Sequence, residues 1–284
     1  MPPLGRSATT PPFAVLGIDA AWTERNPTGV ALVEVRGAGR AAAIVAAPSY
    51  ESFCAGRVDW AARQSGGICD AGRLLASARR LTPLPIRCVA VDMALSRLPI
   101  TGRRAADNRT SAAFGRQWCG THSPSADRPG RVSEELLRGF EGRGFRLATA
   151  AGRLPARPVV EVHPHAALVR LLRAERRLPY KLSRARQYHP DASPEAARAR
   201  LLEVWWTILD GLEDVVRGAR RLLPPEPARL APSRLKAVED ALDAIVCAWI
   251  GVEVMRGNAE AYGDETAAIW VPAAITSQRP PPSP

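Results

Sequence analysis

The sequence predicts one α/β domain built on a mixed sheet, three antiparallel strands followed by parallel ones, flanked by helices. Three observations predict it. Short apolar runs bounded by turn residues recur through the first half of the chain, a strand signal. Helix-like stretches alternate with later runs of the same kind. The last long helix is apolar nearly all round, which places it in the interior.

The folded part opens with FAVLGIDAAW, where Phe13–Ile18 reads as a buried strand with Asp19 at its end. TERNPTG follows as a turn punctuated by Asn26, Pro27 and Gly29. Two β-branched segments, Val30–Val35 and Ala43–Ala47, complete an antiparallel meander. Residues 54–80 carry a helical pattern interrupted at Gly66-Gly67, and RCVAVDM (Arg87–Met93) is a strand ending in Asp92. Residues 97–150 are polar, Gly-rich and Arg-rich, an insertion with helices near 103–114 and 132–143. Val159–Val162 is a further strand, leading through His163-Pro164-His165 into a helix that runs to Arg173.

Residues 195–222 predict an amphipathic helix, with Leu201, Trp205, Ile208, Leu209, Leu212, Val215 and Val216 on one stripe. PPEPARLAP breaks the chain, and the last helix runs from Ser233, an N-cap after Pro232, to Arg256. One sheet uses nearly the whole chain. Residues 13–275 are therefore predicted as a single domain between disordered tails at 1–12 and 276–284, both rich in Pro and polar residues.

No apolar run approaches the length that crosses a bilayer, and MPPLGRSATTPPF has no apolar stretch of the signal-peptide kind. A cytoplasmic protein with no membrane partner is the expectation. The five cysteines are odd in number and none shows C-x-x-C spacing, which argues against a disulfide framework or a zinc ribbon. Formal charge is +11, from 39 Lys+Arg against 28 Asp+Glu, and nearly all the basic residues are Arg. Such an excess favours a polyanionic partner such as nucleic acid, although a GC-biased genome produces the same Arg-rich, Ala-rich composition.

Five acids sit where acids are costly. Asp19 and Asp92 terminate apolar strands, Glu161 lies inside the strand VVEV, and Asp240 and Asp243 share a face of the apolar last helix. Buried carboxylates that repel one another need shared protons, basic partners or a metal ion. With no matching His or Cys set, a metal would be a hard cation, Mg²⁺ or Mn²⁺.

GIDAAWTERNPTGVALVEV, AVDMALS, VVEVHPH, LPYK, EDALDAIVCAW and YGDETAAIWVP, in this order over residues 13–272, resemble the predicted RNase H-like nucleases catalogued as domain-of-unknown-function family 429. The resemblance implies an RNase H-like fold and a metal-dependent nuclease acting on nucleic acid. In that pattern one Asp stands on the first strand, an acid on the fourth and an acid on a late helix. Asp19, Asp92 and Asp243 fall at those places and would bind the metal. Asp240 and Asp243, three apart, resemble the late-helix pair of RuvC-type resolvases, whereas Glu161 has no counterpart in the basic pattern.

Each candidate has a structural alternative. Asp19 and Asp92 can cap turns, Asp243 can pair with an Arg, and Asp240 can pair with Lys236 at helical spacing. His163 is either a proton carrier or phosphate contact, or a structural histidine. Arg103 and Arg104, with Asp107 and Arg109, are either substrate contacts or a charged surface helix. Lys181 would hold a phosphate, or follow Tyr180 into packing. Trp205 and Trp206 are expected in the core rather than stacked on bases. Two rival functions stay open: a non-catalytic module binding nucleic acid or protein on the same fold, and an actin-like or sugar-kinase-like ATP-using protein, which needs two copies of the fold.

Overall fold

The structure, a computed structural model, describes residues 11–274; most of the two predicted tails lies outside the described residues. Its strands are β1 (Phe13–Asp19), β2 (Gly29–Val35), β3 (Ala41–Ala47), β4 (Ile86–Val91), β5 (Arg146–Leu147), β6 (Pro158–Val162), β7 (Val216–Arg217), β8 (Ala259–Gly263) and β9 (Ala268–Pro272). The helices are α1 (Tyr50–Ala55), α2 (Ala71–Leu81), α3 (Ala105–Phe114), α4 (Arg131–Glu141), α5 (Pro164–Leu172), α6 (Ala185–Tyr188), α7 (Pro194–Glu213) and α8 (Pro232–Met255).

All nine strands join one mixed sheet in the order β7-β3-β2-β1-β4-β6-β9-β8, with β5 beside β6. The expected meander is present: β1 pairs antiparallel with β2, and β2 with β3. From β1 outward the pairing turns parallel, to β4, β6 and β9. Parallel strands end on the same edge, so Asp19, Asp92 and Glu161 arrive together; the Asp92 amide donates to the Ile18 carbonyl at 2.9 Å. The described residues hold one sheet, which leaves the two-copy architecture of the ATP-using rival without a second half.

The sheet is covered on both faces. Val15 faces the core built with α5, α7 and α8, whereas Ala14, Leu16 and Ile18 face the core built with α1, α2 and α4. Helix α8 lies directly on β1 and β2 because two glycines let it. A Cβ on Gly17 would fall on the backbone at Ala244 and Ala248, and one on Gly29 on the backbone at Asp240. This close approach brings the acids of α8 over the ends of the strands.

Three boundaries differ from expectation. The helix predicted over 195–222 stops at Glu213, and Val216 pairs with Ala41 as part of β7. The Glu213 carboxylate accepts from the amides of Gly218 and Arg220, both at 2.8 Å, and Gly218 takes a positive φ of 84°, so the chain turns away from the helix axis. Ser233 is not the cap of α8: Pro232 already opens the helix, with no N–H to satisfy. The segment 54–80 divides into the end of α1 and the whole of α2, with non-helical chain around Gly66-Gly67. The hairpin β8–β9 and the two-residue strands β5 and β7 were not anticipated. All five cysteines are free thiols. Among the described residues no helix is long and apolar enough to cross a membrane.

Candidate functional site

The carboxyl ends of β1, β4 and β6 open into a cleft of about 740 Å³, the usual place for a ligand in an open α/β sheet. Its floor is Asp19 and Asp92. Neither carboxylate makes an ion pair or a hydrogen bond with another described residue; both face the cleft. Burial, then the charge of Asp243, pushes the Asp19 carboxyl well above the usual range. Burial also pushes Asp92 up, to about 7, with Lys181 opposing and Asp243 and Glu161 adding. Two acids in this state either keep protons near neutrality or take a cation.

The acids of α8 are arranged differently. Asp243, 0% exposed, accepts from the Tyr180 hydroxyl at 2.7 Å and meets the Lys181 ammonium. Glu239 accepts from the Leu182 amide at 2.6 Å and the Lys236 ammonium at 3.0 Å, and lies 3.6 Å from the Lys181 ammonium. Asp240 meets Lys236, the helical pairing the spacing allowed. Burial lowers the proton affinity of Lys181, but Asp243, Tyr180 and Glu239 outweigh it and hold the ammonium well above its ordinary range. Burial likewise outweighs Lys236 at Asp240 and pushes that carboxyl to about 6. Three buried acids are thus laced by two lysines, the partly buried Lys181 and the exposed Lys236.

Glu161 is closed as well. Its oxygens accept from Arg104 Nη1 at 2.6 Å, Arg104 Nη2 at 2.7 Å and the Leu95 amide at 2.8 Å. Arg104 Nε and Nη2 also donate to Asp107, at 3.0 and 2.9 Å, and Nη1 to the Leu95 carbonyl at 2.6 Å. All five donors of this guanidinium are engaged. Arg104 therefore ties the inserted helix α3 to β6, and it lines the cleft with its donors already engaged within the chain. Arg103 is not among the residues lining the cleft: it donates to Asn108, Ser111 and Ser123 and to the Asp107 and Thr121 carbonyls within the insertion.

His163 and Lys181 line the cleft, as Arg104 does. His163 Nε2 lies 3.0 Å from the Cys119 carbonyl, and burial pushes its pKa down to about 4, so it stands neutral. Lys181 is committed to Asp243 rather than free for a phosphate. Sequence reasoning missed Glu239, although EDALD puts it one helical turn from Asp243. It also missed Trp22, His122, Arg128, Arg177 and Arg184, which reach the cleft from separate loops and short turns that carry no periodic signal. Trp205 is core, as expected, 2% exposed, with its indole N–H donating to the Tyr180 carbonyl at 2.7 Å.

The expected three-acid metal cage is not what the side chains form. Among the described residues no three His, Cys, Asp or Glu side chains stand together as a ready metal site. The reason is visible: lysines occupy the space between the α8 acids, and Arg104 occupies Glu161. What fits a hard cation is the pair Asp19 and Asp92, two open oxygen donors. Mg²⁺ is commonly held by one or two carboxylates, with water and substrate phosphate completing the shell.

Fold and site together define an α/β protein with a mixed sheet and a charged cleft at its strand ends. The chain belongs to the family described as protein of unknown function (DUF429), which it matches over residues 17–268. Comparison with curated proteins and with solved structures gave no match.

Proposed function

We propose that the protein is a metal-dependent nuclease of RNase H-like fold, with Asp19 and Asp92 holding Mg²⁺ or Mn²⁺. One observation carries the reading: two carboxylates without partners, on adjacent parallel strand ends, face a cleft rimmed by cations. The order β3-β2-β1-β4-β6, antiparallel then parallel, supports the fold. A cation bound there supplies Lewis-acid polarisation of a phosphodiester and an activated water. The chain itself holds that region in place. Tyr180 and Lys181 fix Asp243, whose charge acts on Asp19, Lys236 fixes Asp240, and the Arg104 clamp fixes Glu161, whose charge acts on Asp92. Of the acids expected to be catalytic, Asp240, Asp243 and Glu161 become positioning residues.

The test is calorimetric titration with Mn²⁺ of wild type and Asp19→Asn, beside cleavage of single- and double-stranded DNA, RNA and hybrid. Metal binding and cleavage that both collapse in the variant support the nuclease. A folded wild type that binds no Mn²⁺, with or without nucleic acid, overturns it. A second reading is favoured by the ion pairs themselves, since five buried acids (Asp107, Glu161, Glu239, Asp240 and Asp243) already have cationic partners. On that reading the protein is a non-catalytic module for nucleic acid, and Asp19→Asn leaves binding intact with no cleavage in either form.

A further inference from the structure

The walls of the cleft carry opposite charge. Facing the acidic floor stand Arg128, Arg177 and Arg184, and none of the three guanidinium groups makes an ion pair or a hydrogen bond with another described residue. Nε of Arg177 is buried and unpartnered, and so is Nδ1 of His165 in the same cleft. A buried donor without an acceptor is costly, and Arg177, half-buried like Arg184, carries one; Arg128 is exposed at the rim. Arg103 and Arg104 nearby have used their donors within the chain, so these three arginines are a distinct set. All three line one cleft with His122, and after burial the charges of Arg184, Arg177, Arg128 and Lys181 lower its proton affinity. Neutral histidines and unpaired guanidiniums suit an anion that the chain does not supply.

A second feature lies in the same cleft. Trp22 is half-buried there, its ring edge-to-face with His122 at 6.3 Å between centroids. An aromatic ring beside a basic wall is how proteins grip unpaired nucleotides, one stacking the base and the other holding the backbone. The size agrees, since about 740 Å³ is the room of a small-ligand pocket.

We infer that Arg128, Arg177 and Arg184 seat a phosphate whose attached base stacks on Trp22, so that the cleft takes one nucleotide unit of a single strand and not a duplex. The inference rests on the nuclease reading for the chemical step after binding, but recognition itself needs no metal. It is tested in EDTA, with inorganic phosphate and a nucleoside monophosphate titrated by calorimetry and labelled single-stranded and duplex oligonucleotides by anisotropy. Arg177→Met and Arg184→Met should each weaken phosphate and nucleotide binding by roughly tenfold or more. Trp22→Ala should weaken the nucleotide several-fold and leave inorganic phosphate unchanged. Because every titration is made in EDTA, failure of the metal site leaves these outcomes standing. Absence of phosphate and nucleotide binding by wild type overturns the inference. So do arginine variants, folded by circular dichroism, that bind like wild type, a Trp22→Ala loss equal for phosphate and nucleotide, or a duplex bound as tightly as the single strand.

Discussion

Lys181 sets its ammonium against the Asp243 carboxylate at the place where α8 crosses the ends of β1 and β4. Asp243 has no exposed surface and Lys181 little, at 0% and 18% of their side chains. Tyr180 holds the other oxygen of the same carboxylate. Replacing Lys181 by Met leaves Asp243 buried with one hydroxyl partner. Breaking a buried pair from one side costs about 3–5 kcal/mol, more than the pair itself contributes. Urea unfolding of Lys181→Met should show a loss in that range, and the double variant with Asp243→Asn should recover a large part of it. A single-variant loss under about 1 kcal/mol would show that water, not the protein, solvates this acid.

The floor of the cleft should make stability depend on pH. In the native state the Asp92 carboxyl is raised to about 7, whereas an aspartate in the unfolded chain titrates near 3.9. Between those values the native state binds more protons than the unfolded one, so stability falls as pH rises from about 4 to about 7. Asp19, raised by burial and by Asp243, acts in the same direction. Asp92→Asn removes its share. In EDTA, the stability of the variant relative to wild type should be flat below about pH 4 and grow by an amount on the order of a few kcal/mol towards neutrality. Guanidinium unfolding at steps of pH measures this difference, and a difference that does not change with pH would mean that Asp92 ionises as it does in water.

Much of this arrangement was legible in the sequence. An apolar run cannot hide an acid, so FAVLGID and RCVAVD announced Asp19 and Asp92 as strand-end groups before any fold was known. The apolar surroundings of Asp240 and Asp243 on α8 announced their burial in the same way. What solved the charge problem was not legible. Lys181 reaches Asp243 across 62 positions and Arg104 reaches Glu161 across 57, and no local spacing encodes such pairings. Arg103 and Arg104 look alike as a dipeptide, yet one braces the insertion and the other clamps it to the sheet. The stripe continuing to Val216 misled for a related reason. Val216 is buried in the same core as the helix it follows, but it gets there by pairing with β3.

The placement of the α8 acids depends on an absence of side chain at Gly17. Its Cα faces the backbone of α8 between Ala244 and Ala248, with no room for one added carbon. Backbone atoms cannot rotate aside as a side-chain tip can. In Gly17→Ala, then, α8 must lift from β1, or β1 must shift within the sheet. Overpacking of this kind costs about 1–3 kcal/mol, and more where the backbone is rigid. The shift also acts on the site, because Asp243 sits one residue before Ala244 and is held from the other side by Tyr180 and Lys181. Thermal unfolding should therefore show a lower midpoint for Gly17→Ala, and hydrogen exchange should quicken along α8 near Ala244 and Ala248 more than in α2 on the opposite face of the sheet. Equal quickening in α8 and α2 would point to a global loss of stability instead of a lifted helix, and an unchanged midpoint would mean that the two backbones are not pressed together.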